Sequence, residues 1–446
     1  MDPAAQRLPV STCLGWGIGS LGMSLMFSAT GVLLLRYLVD YVGIGAALAG
    51  VLISVAKFYD AATDTLFGIA SDRTRSRWGR RRPYLLLGGV VSAVSFVMLF
   101  NLQGAAGPAL LPWLVLLVLL LNATGYALFN VPYLAMPGEM TRDYHERTRL
   151  MSFRVAAVAV GQLVATFVGP LLIQRFGGDA DAHGTTAWVL AVVILLSSLL
   201  CFRGTRAAPA ASSTPHALGF KGQLLAAAAN RPFVLLLGVK LSYLFGLSMY
   251  IAVMPFLFVS VLGLTYAGLG VYFLFQSSLM LVSQPLWVHF TRRLGKVHAY
   301  YGATGIYCVA VSSWLIAAPG EASVAIMLRG AVAGLGAGGL LLLGQSMLLD
   351  TMQHDFELTG ERREGLLAGI YTTVEKLSFS IGPAITGFAL GASGYVASAA
   401  PGAGQPASAR IAILACMTVV PVVSTIIGCL LLRGYRIDAG LAARSA

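Results

Sequence analysis

Long apolar segments recur along the chain, and each is separated from the next by a short polar or glycine-containing break. A helix needs about 20 mostly apolar residues to cross the hydrocarbon core of a bilayer. Twelve segments have roughly that length, at approximately 12–38, 45–71, 84–103, 108–137, 150–174, 185–203, 233–263, 267–290, 298–318, 322–351, 364–392 and 408–433. The pattern predicts an all-α membrane protein with twelve transmembrane helices.

Composition supports this fold class. Of the 446 residues, 57% are hydrophobic and only 11% are charged, and the mean hydropathy is +0.79. A soluble protein carries about 25% charged residues. The chain is therefore expected to cross the membrane many times.

The net charge of +12 raises the question of nucleic-acid binding, but the positions of the basic residues answer it. They concentrate in alternate loops, and the loop DRTRSRWGRRRP between spans two and three alone holds six arginines. Basic loops mark the cytoplasmic side of a membrane protein. We expect a multi-pass protein of the inner (cytoplasmic) membrane, with both termini in the cytoplasm and no nucleic-acid partner.

The longest break divides the spans six and six. Residues 204–232 are rich in Ala, Pro and Ser, which predicts an N-terminal six-helix bundle at 1–203, a cytoplasmic middle loop at 204–232 and a C-terminal six-helix bundle at 233–446. A basic, glycine-containing turn follows the second span of each half, as expected of repeated transporter halves. Cytoplasmic loops collect Arg and Gly in any case, so the repeat by itself leaves both explanations open.

Nothing in the chain indicates catalysis or a bound cofactor. The five cysteines show no metal or disulfide spacing, and no Ser/His/Asp set or HExxH motif is present. The first span is too long for a signal-peptide core, so we expect it to be retained as a helix. The protein is predicted not to be an enzyme and to need no cofactor.

The second span carries charge where an apolar segment should not. Lys57, Asp60 and Asp64 interrupt residues 45–71, and a carboxylate in mid-membrane costs roughly 2.5 kcal/mol or more. Residues four apart lie on one face of a helix, so the two carboxylates can chelate a monovalent cation or share a proton. A neutral Lys57–Asp60 pair is the alternative, but it would leave Asp64 unexplained.

The loop that follows this span resembles a known motif. Gly68, Asp72, Arg73, Arg77, Gly79, Arg80 and Arg81 match the loop motif of the major facilitator superfamily, and YDAATDTLFGIASDRTRSRWGRRRPYLLLG resembles the glycoside-pentoside-hexuronide:cation symporter family, whose best-known member is the melibiose permease. The stretches 130–154 and 361–376 extend the resemblance over essentially all spans. It implies two helical bundles that rock about a central site while a cation and a solute move together.

The resemblance also implies site residues. The cation-binding set is Asp60, Asp64, Asn130 and Lys376, with Na⁺ held by the two aspartates, and the substrate-binding set is Ser24, Tyr126, Asn130, Arg154 and Lys376, with Gln276 as a further neutral candidate. Counted at ~1.5 Å per residue, Asp60 and Lys376 each lie roughly 3 Å from mid-membrane. Snorkelling of Arg154 to the interface is an alternative to its solute-binding role.

Charged residues near the predicted cytoplasmic ends form a third set. The predicted gating residues are Asp72, Arg73, Arg77, Arg80, Arg81, Glu139, Arg142 and Arg363. Ion pairs among them would hold the cytoplasmic side closed in the outward-facing state. The alternative is that they are solvated charges at helix ends.

Two departures from the melibiose permease leave the solute open. Ser24 and Asn130 stand where that relative has aspartates, so the carboxylates that would hold galactosyl hydroxyls are absent. A cation-coupled symporter of a sugar or glycoside, working by alternating access, is the leading hypothesis, with either Na⁺ or H⁺ as coupling ion. The alternatives are a symporter of an amphipathic solute such as a lysophospholipid, and a non-transporting assembly factor or sensor on the same fold. The expected partners are a small-molecule solute, the cation and membrane lipid, and the protein is expected to be a monomer.

Overall fold

The computed structural model describes residues 7–141, 144–206, 230–359, 363–398 and 404–435. Their regular structure is entirely helical, in twelve segments that we number α1 to α12. In chain order they are Val10–Tyr41, Ala46–Arg73, Arg82–Leu99, Leu111–Met140, Tyr144–Leu163 continuing to Arg175, Ala180–Gly204, Arg231–Val261, Tyr266–Val282 with Gln284–Leu294, Lys296–Ser312, Ser323–Thr359, Glu364–Ala392 and Ala407–Leu432.

The predicted fold class is confirmed over these residues. Nine helices are long and apolar enough to cross a membrane, and the two parts of α8 make a tenth span when taken together. The other two are α9, which has only 17 residues, and α11, which carries Glu375 and Lys376 near its middle.

The chain divides into two compact units. We call the unit with α1 to α6 the N-bundle and the unit with α7 to α12 the C-bundle. In the N-bundle, α1 packs against α5 and α6, while α4 packs against α2 and α3. The C-bundle repeats this plan, with α7 against α11 and α12 and with α10 against α8 and α9.

The first helix of the N-bundle ends in a widened turn. Residues Tyr37–Tyr41 form a π-helix, and the amide of Ile44 then donates to the carbonyl of Leu38 at 2.9 Å. Gly43 between them has φ +82°, a left-handed conformation that glycine adopts without a steric penalty. Helix α1 ends at this turn, and α2 begins at Ala46, three residues after Gly43.

The first helix of the C-bundle ends in the same way. Phe256–Val261 is a π-helix, the amide of Leu264 donates to the carbonyl of Phe258 at 2.8 Å, and Gly263 has φ +67°. The matching turns set a common register for α2 and α8. This is an internal repeat that the basic loops alone did not reveal.

The eighth span is predicted as one segment at 267–290 but is broken in the structure. Its two parts meet at Ser283 and are bent by 46°. Pro285 lies in the first turn of the second part, and proline has no N–H to donate to the carbonyl one turn earlier. The missing hydrogen bond and the ring account for the bend.

Helix α4 runs through two prolines, and one of them helps to join α4 to α1. Pro137 cannot donate to the carbonyl of Tyr133, four residues earlier. The indole Nε1 of the fully buried Trp16 on α1 donates to that carbonyl at 3.3 Å. The two rings also stack, with centroids 4.7 Å apart. The backbone group that proline leaves open is thus satisfied by a side chain from the neighbouring helix.

Candidate functional site

The charged face of α2 lies at the centre of its helix. Asp60 falls at the midpoint of Ala46–Arg73 and is only 6% exposed. Asp64 follows one turn later and is half-buried. Lys57 precedes Asp60 by one turn, and its Nζ lies 4.4 Å from the ring centroid of Phe27 on α1. The two predicted cation-binding aspartates therefore share one face of α2, with an ammonium held against an aromatic ring beside them.

Hydrogen bonds fix this part of α2 in place. The hydroxyls of Tyr59 and of Thr124 on α4 are 3.1 Å apart. Thr63 donates to the carbonyls of Tyr59 and Asp60, which bends a helix slightly when it occurs in the interior. The Oγ of Ser54, one and a half turns before Asp60, is buried and has no hydrogen-bond partner among the described residues.

Aromatic and amide groups on α4 continue the same surface. The ring of Tyr126 lies 6.2 Å from that of Phe27, centroid to centroid, so Phe27 contacts both Tyr126 and Lys57. Asn130, one turn after Tyr126, is half-buried. Within the described part of the chain, its amide takes part in no side-chain hydrogen bond, which leaves both donors and the acceptor for a ligand or water.

Helix α5 provides the predicted solute-binding guanidinium. Arg154 is half-buried, and its Nε is buried without a hydrogen-bond partner in the described residues. It lies within electrostatic range of the Tyr133 hydroxyl on α4. A buried N–H that lacks an acceptor costs about 1–3 kcal/mol, so this donor favours an incoming oxygen.

Ser24 has a structural contact that the sequence did not predict. Its hydroxyl lies 3.1 Å from the carbonyl of Val158 on α5 and 3.1 Å from that of Leu21 on its own helix. Gly161 packs so closely here that a Cβ would meet both Leu21 and Ser24. The hydroxyl proton is therefore used to join α1 to α5. The substrate-binding role of Ser24 stays a prediction, with only its oxygen lone pairs left to accept from a solute.

The C-bundle places its own predicted residues on α11 and α8. Lys376 is half-buried, close to the middle of Glu364–Ala392, and its carbonyl accepts from Ser380 at 2.8 Å. Gln276 is half-buried on α8. Their roles toward cation and solute stay predictions.

A partly buried ion pair in the C-bundle was not predicted from the sequence. Nζ of Lys240 on α7 lies 2.9 Å from a carboxylate oxygen of Glu375 and donates to the carbonyl of Tyr371 at 3.0 Å. The ammonium also lies 3.2 Å from the Tyr371 ring centroid. These groups, with Tyr243 and Tyr300, line a cavity of about 110 Å³. The hydroxyl of Tyr243 is buried there without a hydrogen-bond partner in the described chain.

The predicted gating residues include a compact charge cluster within the N-bundle, which we call the N-clamp. Arg81, at the start of α3, contacts Asp72 at 2.5 Å, Glu139 at 2.9 Å and the Ser71 hydroxyl at 2.5 Å. Arg80 contacts the same oxygen of Glu139 at 3.0 Å. The N-clamp thus joins the end of α2, the start of α3 and the end of α4.

The remaining predicted gating residues lie apart from the N-clamp. Arg73 and Arg77 are exposed, and the guanidinium of Arg77 lies 4.9 Å from the ring of Trp78. Arg363 is half-buried immediately before α11. Arg142 falls outside the described residues. A gating function for the whole set stays a prediction.

Two further ion pairs in the C-bundle give partners to Arg329, which lies within a span, and to Lys296, which lies beside a loop. Arg329 on α10 pairs with Glu321. Its guanidinium donates a hydrogen bond to the hydroxyl of Ser313 at 3.2 Å and lies 4.9 Å from the ring centroid of Trp314. Lys296, in the turn between α8 and α9, contacts Asp350 of α10 at 2.5 Å. Because α10 packs on α9 as α4 packs on α3, the second pair is the C-bundle counterpart of the N-clamp. The repeat of basic turns was the signal that pointed to it.

The donor set suits a monovalent ion better than a transition metal. No group of three His, Cys, Asp or Glu side chains with metal-binding geometry occurs among the described residues. Asp60 and Asp64 supply hard carboxylate oxygens, which suit alkali and alkaline-earth cations and protons rather than soft metals.

Comparison with known proteins identifies the family. The family described as MFS/sugar transport protein matches residues 15–439. An isoprimeverose transporter of Lactiplantibacillus pentosus is 26% identical, covering 97% of this chain and 89% of its own. A glucuronide carrier protein homologue of Escherichia coli (strain K12) is 28% identical, with 88% and 86% covered.

Solved structures agree on the fold. The crystal structure of a bacterial homologue of the human lysosomal transporter Spinster, inward-facing and unoccupied, has a TM-score of 0.67 at 15% identity and covers 96% of each chain. At that identity the likeness establishes the helical architecture alone.

Proposed function

The chain belongs to the MFS/sugar transport protein family, and from this premise we propose that it is a cation-coupled symporter of a glycoside or hexuronide that works by alternating access. The protein is a membrane transporter and not an enzyme. The coupling ion, the solute and the transport cycle are the proposed part.

The observation that carries the proposal is the position of Asp60. Asp60 is 6% exposed and lies at the midpoint of a membrane-spanning helix. Placing a carboxylate there costs roughly 2.5 kcal/mol or more in free energy, and such residues typically have a function. Asp64 lies one turn away on the same face. Together with Lys57, the face has one excess negative charge, and one bound monovalent cation brings it to neutrality. Neutral sites are the cheapest to carry through a low-dielectric barrier.

Sodium is the proposed ion, with Asp60 and Asp64 as its ligands. A bound Na⁺ needs further oxygen atoms, and the amide oxygen of Asn130 on α4 is a candidate. The ammonium of Lys376 is the proposed competitor that takes over when the cation leaves.

The solute site is proposed around Arg154, Asn130 and Tyr126. Arg154 has a buried N–H without an acceptor in the described chain, and a guanidinium suits vicinal hydroxyls or a carboxylate. The rings of Phe27 and Tyr126 provide apolar faces beside these polar groups. Polar donors beside aromatic faces are the chemistry that a sugar requires, and the names of the two relatives, for isoprimeverose and glucuronide, indicate the same class.

The test is transport by purified protein in proteoliposomes. A panel of radiolabelled solutes, including a β-glucuronide, a neutral disaccharide and lysophosphatidylcholine, is assayed by counterflow and then by uptake driven by a Na⁺ gradient at equal pH. We expect counterflow of a glycoside or glucuronide and accumulation that depends on Na⁺. Counterflow of the lysophospholipid alone would show that the solute class is wrong, and uptake driven only by a pH gradient would show that the ion is wrong.

A matched pair of variants tests the cation site. Asp60→Asn is expected to abolish uphill accumulation, because it removes a charged ligand of the coupling ion. Asp181→Asn removes an exposed carboxylate from the first turn of α6 and is expected to leave accumulation unchanged. Full accumulation by Asp60→Asn would exclude the proposed site.

A further inference from the structure

A strongly basic pocket lies at one end of the N-bundle. It encloses about 870 Å³, within the range of pockets that bind small molecules. Six arginines line it, together with one carboxylate and a group of apolar side chains: Arg77, Arg80, Arg81, Arg82, Arg203, Arg206, Glu139, Trp78, Phe202, Met136 and Met140. We call it the arginine pocket. The cation and solute sites proposed above do not use it.

Only part of its positive charge is neutralised within the described residues. Arg80 and Arg81 share Glu139, and Arg81 also contacts Asp72. Arg77, Arg82, Arg203 and Arg206 have no carboxylate within 4.0 Å in the described chain. Arg82 lies within electrostatic range of the like charge of Arg206. The pocket therefore carries a substantial excess of positive charge, which favours the binding of an anion.

The adjoining stretch of sequence does not provide that anion. Residues 207–229, which follow Arg206 directly, contain no Asp and no Glu. Neutralisation from this part of the chain is excluded by composition alone.

One wall of the pocket is apolar and is built by cation–π contacts. The guanidinium of Arg82 lies 4.4 Å from the ring of Phe202 and donates to its carbonyl at 2.7 Å. The ring of Trp78 meets that of Phe202 edge to face at 5.5 Å and remains 39% exposed. Trp78 lies in the short loop between α2 and α3, and exposed tryptophan beside spanning helices is typical of the head-group region of a bilayer.

The pocket also lies at head-group level along the helices. The loop between α2 and α3, the start of α3, the end of α4 and the end of α6 all border it. These are the ends that the charge pattern assigns to the cytoplasm, where anionic lipids are enriched, and basic pockets between spanning helices on that side bind acidic head groups.

We propose that the arginine pocket binds the phosphodiester head group of an anionic phospholipid. Arg77, Arg203 and Arg206 face the phosphate, while Trp78 and Phe202 contact the glycerol and the first methylenes of the acyl chains. A lipid fits better than free phosphate because the pocket combines cationic and apolar walls at the membrane surface. Arg82 orients the Phe202 wall through its carbonyl contact.

The experiment compares two double variants by native mass spectrometry of the purified chain with added phosphatidylglycerol and phosphatidylcholine of identical acyl chains. Arg203→Gln/Arg206→Gln removes two exposed arginines of the pocket. Arg292→Gln/Arg293→Gln removes two exposed arginines at the end of α8 and is the matched control. We expect wild type and control to retain phosphatidylglycerol selectively, and the pocket variant to bind it more weakly by roughly tenfold or more.

Three outcomes would overturn the proposal. Equal loss in both double variants would show that general surface charge attracts the lipid. Undiminished selectivity in the pocket variant would place the lipid elsewhere. Displacement of phosphatidylglycerol by inorganic phosphate or glycerophosphoglycerol at equal concentration would show that the occupant is a soluble phosphate. A thermal melt of each variant confirms that the chain is folded before lipid is added.

Discussion

In the N-bundle, α2 carries Asp60 and Asp64 in its central turns. In the C-bundle, α8 holds the equivalent place, and the matching turns at Ile44 and Leu264 bring Met280 and Gln284 into the same register. Gln284 there donates to backbone carbonyls at 2.8 and 3.3 Å. The shared packing plan thus tolerates neutral residues at these positions. Because the fold does not require the carboxylates, their presence in α2 alone indicates a function.

The helix that begins each bundle shows the opposite difference. The buried Lys240 on α7 forms an ion pair with the partly exposed Glu375 of α11. In the corresponding register of α1 lies Ser20, whose hydroxyl is 2.7 Å from that of Tyr133. At this position the C-bundle therefore has an ion pair next to Lys376, whereas the N-bundle has a pair of hydroxyl groups.

The largest expected effect on stability distinguishes the N-clamp from its C-bundle counterpart, the Lys296–Asp350 pair. Glu139 is 7% exposed and contacts both Arg80 and Arg81. Glu139→Gln leaves Asp72 as the only carboxylate beside the buried Arg81 in the described chain and removes the carboxylate that contacts Arg80. We expect a loss of about 2 kcal/mol in stability, less than for a buried charge with no counterion. The counterpart Asp350→Asn removes a more exposed pair, with Lys296 at 26%, and should cost about 1 kcal/mol or less.

Apparent melting temperatures of the two variants in one detergent measure this difference. Asp181→Asn, an exposed carboxylate, is the control and should melt like wild type. Equal shifts for Glu139→Gln and Asp350→Asn would show that the two clamps stabilise their bundles to the same extent.

An intermediate effect is expected at Lys240. Glu375→Gln leaves an ammonium that is 7% exposed with only the carbonyl and ring of Tyr371, and we expect a loss of about 1–2 kcal/mol, because Glu375 itself is nearly half exposed and partly screened. Lys240→Met in the same chain should restore most of that loss. A double-mutant cycle gives the coupling free energy, and a coupling near zero would show that the pair does not stabilise the C-bundle.

The hydrophobic pattern was sufficient to predict the fold class, because spans of about 20 apolar residues have few alternatives in a bilayer. It located Asp60 at mid-span for the same reason. It did not reveal the Lys240–Glu375 pair, since α7 and α11 are distant in sequence and pair only through the bundle plan. It also did not predict the bend at Ser283 or the use of the Ser24 hydroxyl by α5, because both depend on atoms of neighbouring turns or helices.

The smallest expected effect on stability is at Ser24 on α1. Its hydroxyl donates across α1 and α5, and interhelical hydrogen bonds of this kind in membrane proteins average about 0.6 kcal/mol. Ser24→Ala should therefore lower the melting temperature slightly. The hydroxyl proton is already used by backbone carbonyls, so any loss of solute affinity would come only from the lone pairs of the oxygen. Isothermal titration with the solute found by counterflow measures the affinity. Ser20→Ala, on the same helix one turn earlier, is the control for a hydroxyl that contacts Tyr133 instead. A loss of solute affinity in Ser24→Ala, with no such loss in Ser20→Ala, would show that the oxygen of Ser24 accepts from the solute and that α1 contributes to the binding surface.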